Sequence, residues 1–348
     1  MSDIVQAFRK EFGETSIFRL GEGRLADIEV RSSGSLMLDL ALGGGWAKGR
    51  LVLLSGPEKS GKSSVACLAI AEAQQAEPEK ENAVIDLENS FNPKWAETLG
   101  VDTSKLLVSQ PDCPAEKVYD MIEYMLKSGR FAYIVLDSAD GLVPKDELEE
   151  TDWEKESRVG GTSKLNAKAM RKLINSGVLA KSGTTLIIIQ QLRDKIGGFS
   201  AYGTPTVTGG GRSIKHASTT TVEVSIGDLF KKGTGFSAKY FGQQIRTKVT
   251  KNKIAPPFRT ATVDVYYDEG VDRVSELVAV AKEINVLHGT SWLTLMNPIT
   301  GEVMQEDGKD LKWNGTTKAR EAIMDSIENG GGELYTKILD IVNEVIRG

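Results

Sequence analysis

The chain has 348 residues, 40% of them hydrophobic, enough for one large domain and a smaller companion around a substantial core. Its 43 basic and 48 acidic residues leave a net charge of −5, so any nucleic-acid surface has to be a local patch. Two cysteines (Cys67, Cys113) and two histidines (His216, His288) argue against a disulfide scaffold, a Cys/His zinc site or a Ser-His-Asp triad, and the absence of a long apolar run or signal-like N-terminus predicts a cytoplasmic protein with no membrane partner.

In chain order, residues 3–12 put Ile4, Val5, Phe8 and Phe12 on one helical face, which needs either a neighbouring subunit or this chain's own core. A short helix is predicted from Ser35 to Leu42, stopped by Gly43-Gly44-Gly45. Four apolar runs follow, Leu51–Leu54, Ala83–Ile85, Tyr133–Leu136 and Thr185–Ile189, separated by helical stretches near 63–76, 93–99, 114–128 and 163–181. That alternation predicts an α/β fold with a mainly parallel sheet flanked by helices. Segments near 219–226, 240–250 and 260–267 read as an antiparallel extension. Beyond Gly270, a helix near 273–284, a hairpin around Trp292–Val303 and helices near 316–328 and 333–346 suggest a small C-terminal α/β domain. The expected boundaries are 1–30, 31–269 and 270–348.

Each apolar run ends in polar residues, where parallel sheets place their binding edge. The first runs into Gly56-Pro57-Glu58-Lys59-Ser60-Gly61-Lys62-Ser63, a G-x-x-x-x-G-K-[ST] loop followed by Ser64 and an Ala-rich helix. Backbone N–H groups and the helix N-terminus suit a triphosphate, Lys62 the β/γ-phosphates and Ser63 a Mg²⁺ ion, so ATP and Mg²⁺ are the expected cofactors. Asp137 reads as the Walker B acid holding that ion. Glu88 reads as the base that polarises the attacking water, with Asp86 as its competitor. Gln191 is placed to read the γ-phosphate. Between 197 and 211 the chain carries six glycines, flanked by Arg193, Lys195, Arg212 and Lys215: either a nucleic-acid loop or a lid over the nucleotide. A second basic run, Arg246, Lys248, Lys251 and Lys253, is either a solvated strand face or a source of lysines that act on a phosphate in trans.

With these blocks in view, and adding Leu99–Asp102, Ser109–Asp112, Ala169–Leu173 and Lys251–Ala255, the chain resembles the RecA recombinase family over about residues 3–310. The resemblance implies a RecA-type P-loop ATPase core and an ATP-dependent DNA recombinase. Such a protein forms a helical filament of its own copies on single-stranded DNA and pairs it with homologous double-stranded DNA. It also implies that Lys62, Glu88, Gln191, Lys251 and Lys253 serve catalysis, the lysine pair by reaching the neighbour's ATP, and that Gly56 to Ser64, Trp95 and Asp137 hold the nucleotide. Trp95 would stack on adenine. The DNA-binding set it implies is Arg158, Val159, Gly160, Arg171, Arg193, Lys195, Gly197, Gly198, Phe199, Gly209, Gly210, Gly211 and Arg212, and the N-terminal helix would pack on the adjacent protomer.

Departures from the family pattern are Gln190 and Arg212 where bacterial relatives usually carry Asn, and His216 in place of an aromatic. The end at Ile346-Arg347-Gly348, without an acidic tail, fits a phage-encoded or divergent bacterial recombinase. The competing expectations are a ring helicase on the same core and a catalytically weak paralogue that coats DNA.

Overall fold

The computed structural model describes residues 3–13, 17, 28–150, 160–194, 206–208, 212–233 and 238–347. Its helices are α1 Asp3–Phe12, α2 Leu36–Leu42, α3 Lys62–Ala76, α4 Pro93–Thr98, α5 Ala115–Ser128, α6 Lys145–Leu148, α7 Gly161–Asn175, α8 Val178–Ser182, α9 Ser213–Ala217, α10 Arg273–Glu283, α11 Gly315–Asn329 and α12 Glu333–Arg347. The main sheet contains β1 Leu51–Gly56, β2 Glu81–Asp86, β3 Leu106–Ser109, β4 Phe131–Asp137, β5 Thr185–Asp194, β6 Thr206–Thr208, β7 Thr220–Lys232, β8 Lys239–Asn252, β9 Thr260–Tyr266 and β10 Gly270–Val271. Its order is β10-β9-β8-β7-β1-β5-β4-β2-β3, with β6 paired to β5. From β7 through β3 the neighbours are parallel; β8, β9 and β10 extend the sheet antiparallel.

Strand alternation divides the core between the two faces of the sheet. Leu51 and Leu53 of β1 join one cluster with α5, α7, α8 and α9, whereas Val52 and Leu54 join another with α2 and α3. Because both faces are covered, β1 is buried along its whole length and reads as a continuous apolar run. The fifth run of the parallel set, β3, escapes that pattern. As an edge strand it leaves Leu107 and Val108 half exposed, so four residues carry little of the apolar signal that marks β1, β2, β4 and β5. The helix expected over 163–181 is two helices. Gly177 adopts φ +73, a left-handed conformation that ends α7 and starts α8.

At the amino end, α1 forms where expected, and Ile4, Phe8 and Phe12 on its apolar face are exposed among the described residues. At the carboxyl end, α10, α11 and α12 enclose a third core with a strand at Trp292–Asn297, which pairs with short strands at Leu287–His288, Glu302–Val303 and Lys312–Asn314. Leu36, Met37 and Leu40 of α2 pack against this core from the other side.

The joint between α2 and α10 is polar and buried. Ser35, the N-cap of α2, accepts from Leu38 N and donates to Glu276 Oε1 at 2.5 Å. Asp39 accepts from Ser32 Oγ and Ser33 N, each at 2.6 Å, and Arg273 donates to the Gly34 carbonyl. Burial pushes the Asp39 carboxyl up to about 7, outweighing the hydrogen bonds from Ser32 and Ser33, with the Glu276 charge adding to the rise. A carboxyl raised in this way folds more readily with its proton on. Its contribution is fully present below the ordinary value of 3.8 and is lost as pH rises toward about 7. Stability measured by denaturant unfolding should therefore fall by about 3 kcal/mol between pH 4 and 7 from this group. Asp39→Asn should flatten that segment of the profile; an unchanged slope would mean that Asp39 is not the titrating group.

Candidate nucleotide-binding and catalytic site

The register of the parallel strands determines which side chains meet. Gly56 at the end of β1 is level with Gln191 on β5, and Asp86 on β2 is level with Asp137 on β4. The phosphate loop leaves β1 at this edge and runs directly into α3. Both of its glycines are required by packing. A side chain at Gly56 would meet Val224 O at 2.1 Å, and one at Gly61, where φ is +96, would meet Ile245 at 2.7 Å. Pro57, Glu58 and Lys59 form the exposed crest of the loop. Ser60 is buried, and its hydroxyl has no hydrogen-bond partner among the described residues.

Lys62 is buried and donates to the carbonyls of Gly56 and Pro57, at 3.1 and 2.5 Å. Burial lowers its pKa, opposed by the charges of Asp137, Glu88, Asp140 and Glu58. Ser63 donates to Asp137 Oδ2 at 2.6 Å. The Asp137 carboxyl is raised, chiefly by burial and further by Glu88 and Asp86, while the Ser63 hydrogen bond and Lys62 hold it down. An added cation would relieve both the burial and the repulsion among these acids. Among the described residues no group of three or more His, Cys, Asp or Glu is close enough to hold a metal alone. The Ser63–Asp137 pair offers two oxygens, which fits a Mg²⁺ ion that keeps its waters and takes its remaining ligands from phosphate.

The two candidate bases separate cleanly. Asp86 is buried and accepts from Ser90 N, Phe91 N and Gln110 Nε2 at 3.2, 3.0 and 2.9 Å. Burial alone would raise its pKa, but those hydrogen bonds outweigh it and hold the carboxyl below the usual range. Glu88 is exposed at the edge, its Oε1 accepting from Ser138 Oγ at 2.5 Å and from Gln191 Nε2 at 3.1 Å. The backbone N–H of Gln191 donates to Asp140 Oδ2 at 2.7 Å. Gln191 is the last residue before the segment of β5 that pairs with β6, from Leu192↔Thr208 to Asp194↔Thr206. The Glu88–Gln191 contact thus lies at the root of the hairpin that leads into the glycine-rich stretch.

A cleft of ≈ 340 Å³ continues from the loop, lined by Lys59 to Ser64, Trp95, Gln243 and Tyr267. Trp95 Nε1 donates to Ser64 Oγ at 3.0 Å, and its ring meets Tyr267 edge to face at 6.2 Å. Tyr267, Gln243, Ser138, Asp140 and Gln110 are neighbours of the site that the sequence reading did not single out. Ser138 and Asp140 had a signal in their position just after the Walker-type acid, and Tyr267 in ending the predicted strand over 260–267.

Lys251 and Lys253 lie away from this loop. Lys251 is level with Thr221 on β7, itself level with Leu53 in the middle of β1, so the pair points toward the opposite end of the sheet from Gly56. Ile245, which touches Gly61, precedes Lys251 by six residues, about 20 Å of strand. Lys251 Nζ donates to the carbonyls of Lys215 and His216 at the end of α9. Burial lowers its pKa, as do the charges of Lys253 and Lys215. Lys253 joins Arg171, His216, Met170 and Ser213 around an open cavity of ≈ 590 Å³.

Of the expected DNA-binding residues, Gly160 caps α7 with φ +84, Arg171 is exposed on α7, and Arg212 is exposed just before α9. Arg193 is on β5, with its backbone paired to Val207. Arg158, Val159, Lys195, Gly197, Gly198, Phe199, Gly209, Gly210 and Gly211 lie outside the described residues.

The family model for the RecA N-terminal domain matches residues 1–272. The proteins named Protein RecA from Listeria monocytogenes serotype 4a (strain HCC23) and Listeria ivanovii are each 40% identical over 314 residues, which is 90% of this chain and 86% of theirs. Among solved structures, the crystal structure of the RadB recombinase aligns with a TM-score of 0.49 at 19% identity, covering 69% of this chain and 97% of that one. With the family model spanning most of the chain and relatives 40% identical across 90% of it, the chain belongs to the RecA family of DNA recombinases.

Proposed function

We propose that this protein is a DNA-dependent ATPase that forms a helical filament on single-stranded DNA and exchanges strands with homologous double-stranded DNA. The observation that carries the reading is the hydrogen bond from Gln191 to Glu88 at the root of the β5–β6 hairpin. It links the edge that would handle ATP to the segment that would handle DNA.

In this reading the loop from Gly56 to Ser64 cradles the phosphates, Lys62 contacts the β/γ-phosphates, and Trp95 and Tyr267 flank the base. Ser63 and Asp137 hold Mg²⁺, which supplies charge neutralisation at the transferring phosphoryl group. Glu88 orients and polarises the attacking water, with Ser138 holding its carboxylate. Gln191 can donate its amide either to Glu88 or to a phosphate oxygen. Each alternative favours a different hairpin position, and a switch of this kind needs such differential contacts. Asp86, satisfied by three donors, is a structural anchor.

The opposite placement of Lys251 and Lys253 supports their acting on the neighbour's nucleotide, and the exposed face of α1 supports packing on an adjacent copy. Subunits joined head to tail by such unlike surfaces build an open helix unless the rotation closes. Residues 1–30, 31–269 and 270–348 then serve as the oligomerisation segment, the ATPase core with its DNA loops, and a small C-terminal domain, in a cytoplasmic protein.

Steady-state hydrolysis with and without single-stranded DNA tests the reading. DNA should stimulate the wild type, and Glu88→Ala should lose at least about 100-fold in rate. Hydrolysis indifferent to DNA would overturn the coupling through Gln191. In thermal unfolding, Glu88→Ala should be nearly neutral, whereas Asp86→Ala should cost about 1–3 kcal/mol because it removes a buried acceptor that holds three donors. The reverse order would exchange the two assignments. Mixing Glu88→Ala with Lys251→Ala subunits should recover activity at roughly one interface in four, since a random head-to-tail assembly pairs intact partners that often. No recovery would mean that Lys251 acts within its own subunit.

A further inference from the structure

Asp140 stands beside the nucleotide edge and has no part in the chemistry set out above. It is on a single 3-10 turn, Ala139–Gly141, directly after β4. Ala139 and Leu142 fasten that turn into the core on either side of Asp140. Gly141 closes it against the end of β2, where an added Cβ would meet that of Leu87 at 2.8 Å. The Asp140 carboxylate therefore has a fixed root.

That carboxylate reaches across to β5. Pairing between β4 and β5 ends at Leu136↔Ile188, three residues short of Gln191. Beyond that point Asp140 Oδ2 accepts the backbone N–H of Gln191 at 2.7 Å, while the Gln191 side chain donates to Glu88 Oε1 at 3.1 Å. One residue is thus gripped twice, by its backbone and by its amide, and the backbone grip has a carboxylate acceptor, the stronger kind. Ser138 Oγ also donates to Glu88 Oε1, at 2.5 Å. With both donors in place the two lone pairs of that oxygen are engaged, and it cannot take a proton from water. Release of Gln191 reopens it.

An aspartate kept only for packing has a different environment. Asp86, at the end of β2, accepts from three donors, whereas Asp140 Oδ1 is buried with no hydrogen-bond partner among the described residues. Leaving an oxygen bare in this way costs stability. The cost is explained if the position serves Gln191 and not the packing around it.

We infer that Asp140 is a positioning residue for the DNA-dependent reaction: its bond to the Gln191 backbone holds the Gln191 amide on Glu88 and keeps hydrolysis low until DNA draws the β5–β6 hairpin away. The inference rests on the reading of the chain as a DNA-dependent ATPase in which Glu88 polarises the attacking water.

The test is steady-state ATP hydrolysis by the full-length protein, with and without single-stranded DNA, in wild type, Asp140→Ala, Asp140→Asn, Gln191→Ala and the Asp140→Ala, Gln191→Ala double variant. In Asp140→Ala the rate without DNA should rise at least about fivefold, the scale of one net hydrogen bond, while kcat with DNA and KM for ATP stay at wild-type values. Stimulation by DNA therefore falls by the same factor. Asp140→Asn keeps a carbonyl oxygen for the Gln191 N–H but removes the negative charge that bears on Lys62, and it should keep wild-type stimulation. The double variant should match Gln191→Ala without DNA, because the effect of Asp140 runs through Gln191. Amide hydrogen exchange at Gln191 should quicken in Asp140→Ala and not in Asp140→Asn, and unchanged exchange in the other strands of the main sheet reports an intact fold.

Wild-type stimulation in Asp140→Ala, or an equal fall in both of its rates, overturns the proposal and leaves the recombinase reading in place. So does an Asp140→Asn variant that behaves like Asp140→Ala, which would make the charge and not the acceptor the active feature. A double variant faster than Gln191→Ala overturns the route through Gln191. A wild type indifferent to DNA overturns the underlying reading and this inference with it.

Discussion

The parallel register across β2, β4, β5 and β1 is the constraint on which the rest of this protein depends. Level strands bring Gly56, Gln191, Asp137 and Asp86 to one edge, although 135 positions separate the first two in the chain. Burial on both faces enforces that register. A slip of one residue would turn Leu51 and Leu53 toward α3, and Val52 and Leu54 toward α5 and α7, reversing two cores at once. The edge is therefore rigid, and the groups on it are held at fixed separations.

At that edge the protein concentrates acids around one buried lysine. Asp137 is raised by burial and by its acidic neighbours, while burial presses Lys62 downward. Each shift marks a group whose charged form lacks full support from the protein alone. In the proposed reading, triphosphate and Mg²⁺ would complete the balance, the phosphates for Lys62 and the cation for Asp137. Asp86 obeys a different logic, because its hydrogen bonds satisfy it from within the chain. Two carboxylates at one strand end thus divide into a buried group held by three donors and an exposed one that accepts from Ser138 and Gln191.

The antiparallel half of the sheet makes the other features possible. β8 packs Ile245 against Gly61 near one end and carries Lys251 toward the other, so a single strand both supports this chain's loop and presents lysines away from it. At the opposite side, α2 is shared between two cores, and the buried network of Ser35, Asp39 and the Glu276 of α10 ties the C-terminal helices to the main sheet.

Local chemistry was enough to make the loop from Gly56 to Ser63, the buried parallel strands, the stop at Gly43 and the acids at strand ends legible in the sequence, because each is written in neighbouring residues. The edge strand β3 and the break at Gly177 were not: an edge strand has little apolar signal, and one glycine does not announce its φ. The sequence favoured Glu88 over Asp86 as the available carboxylate without showing what holds Asp86, and it left open what Trp95 touches and on which end of the sheet Lys251 and Lys253 lie. Those answers depend on hydrogen-bond donors and strand partners far away in the chain, such as Gln110, Tyr267 and Thr221, and only the folded register brings them into contact.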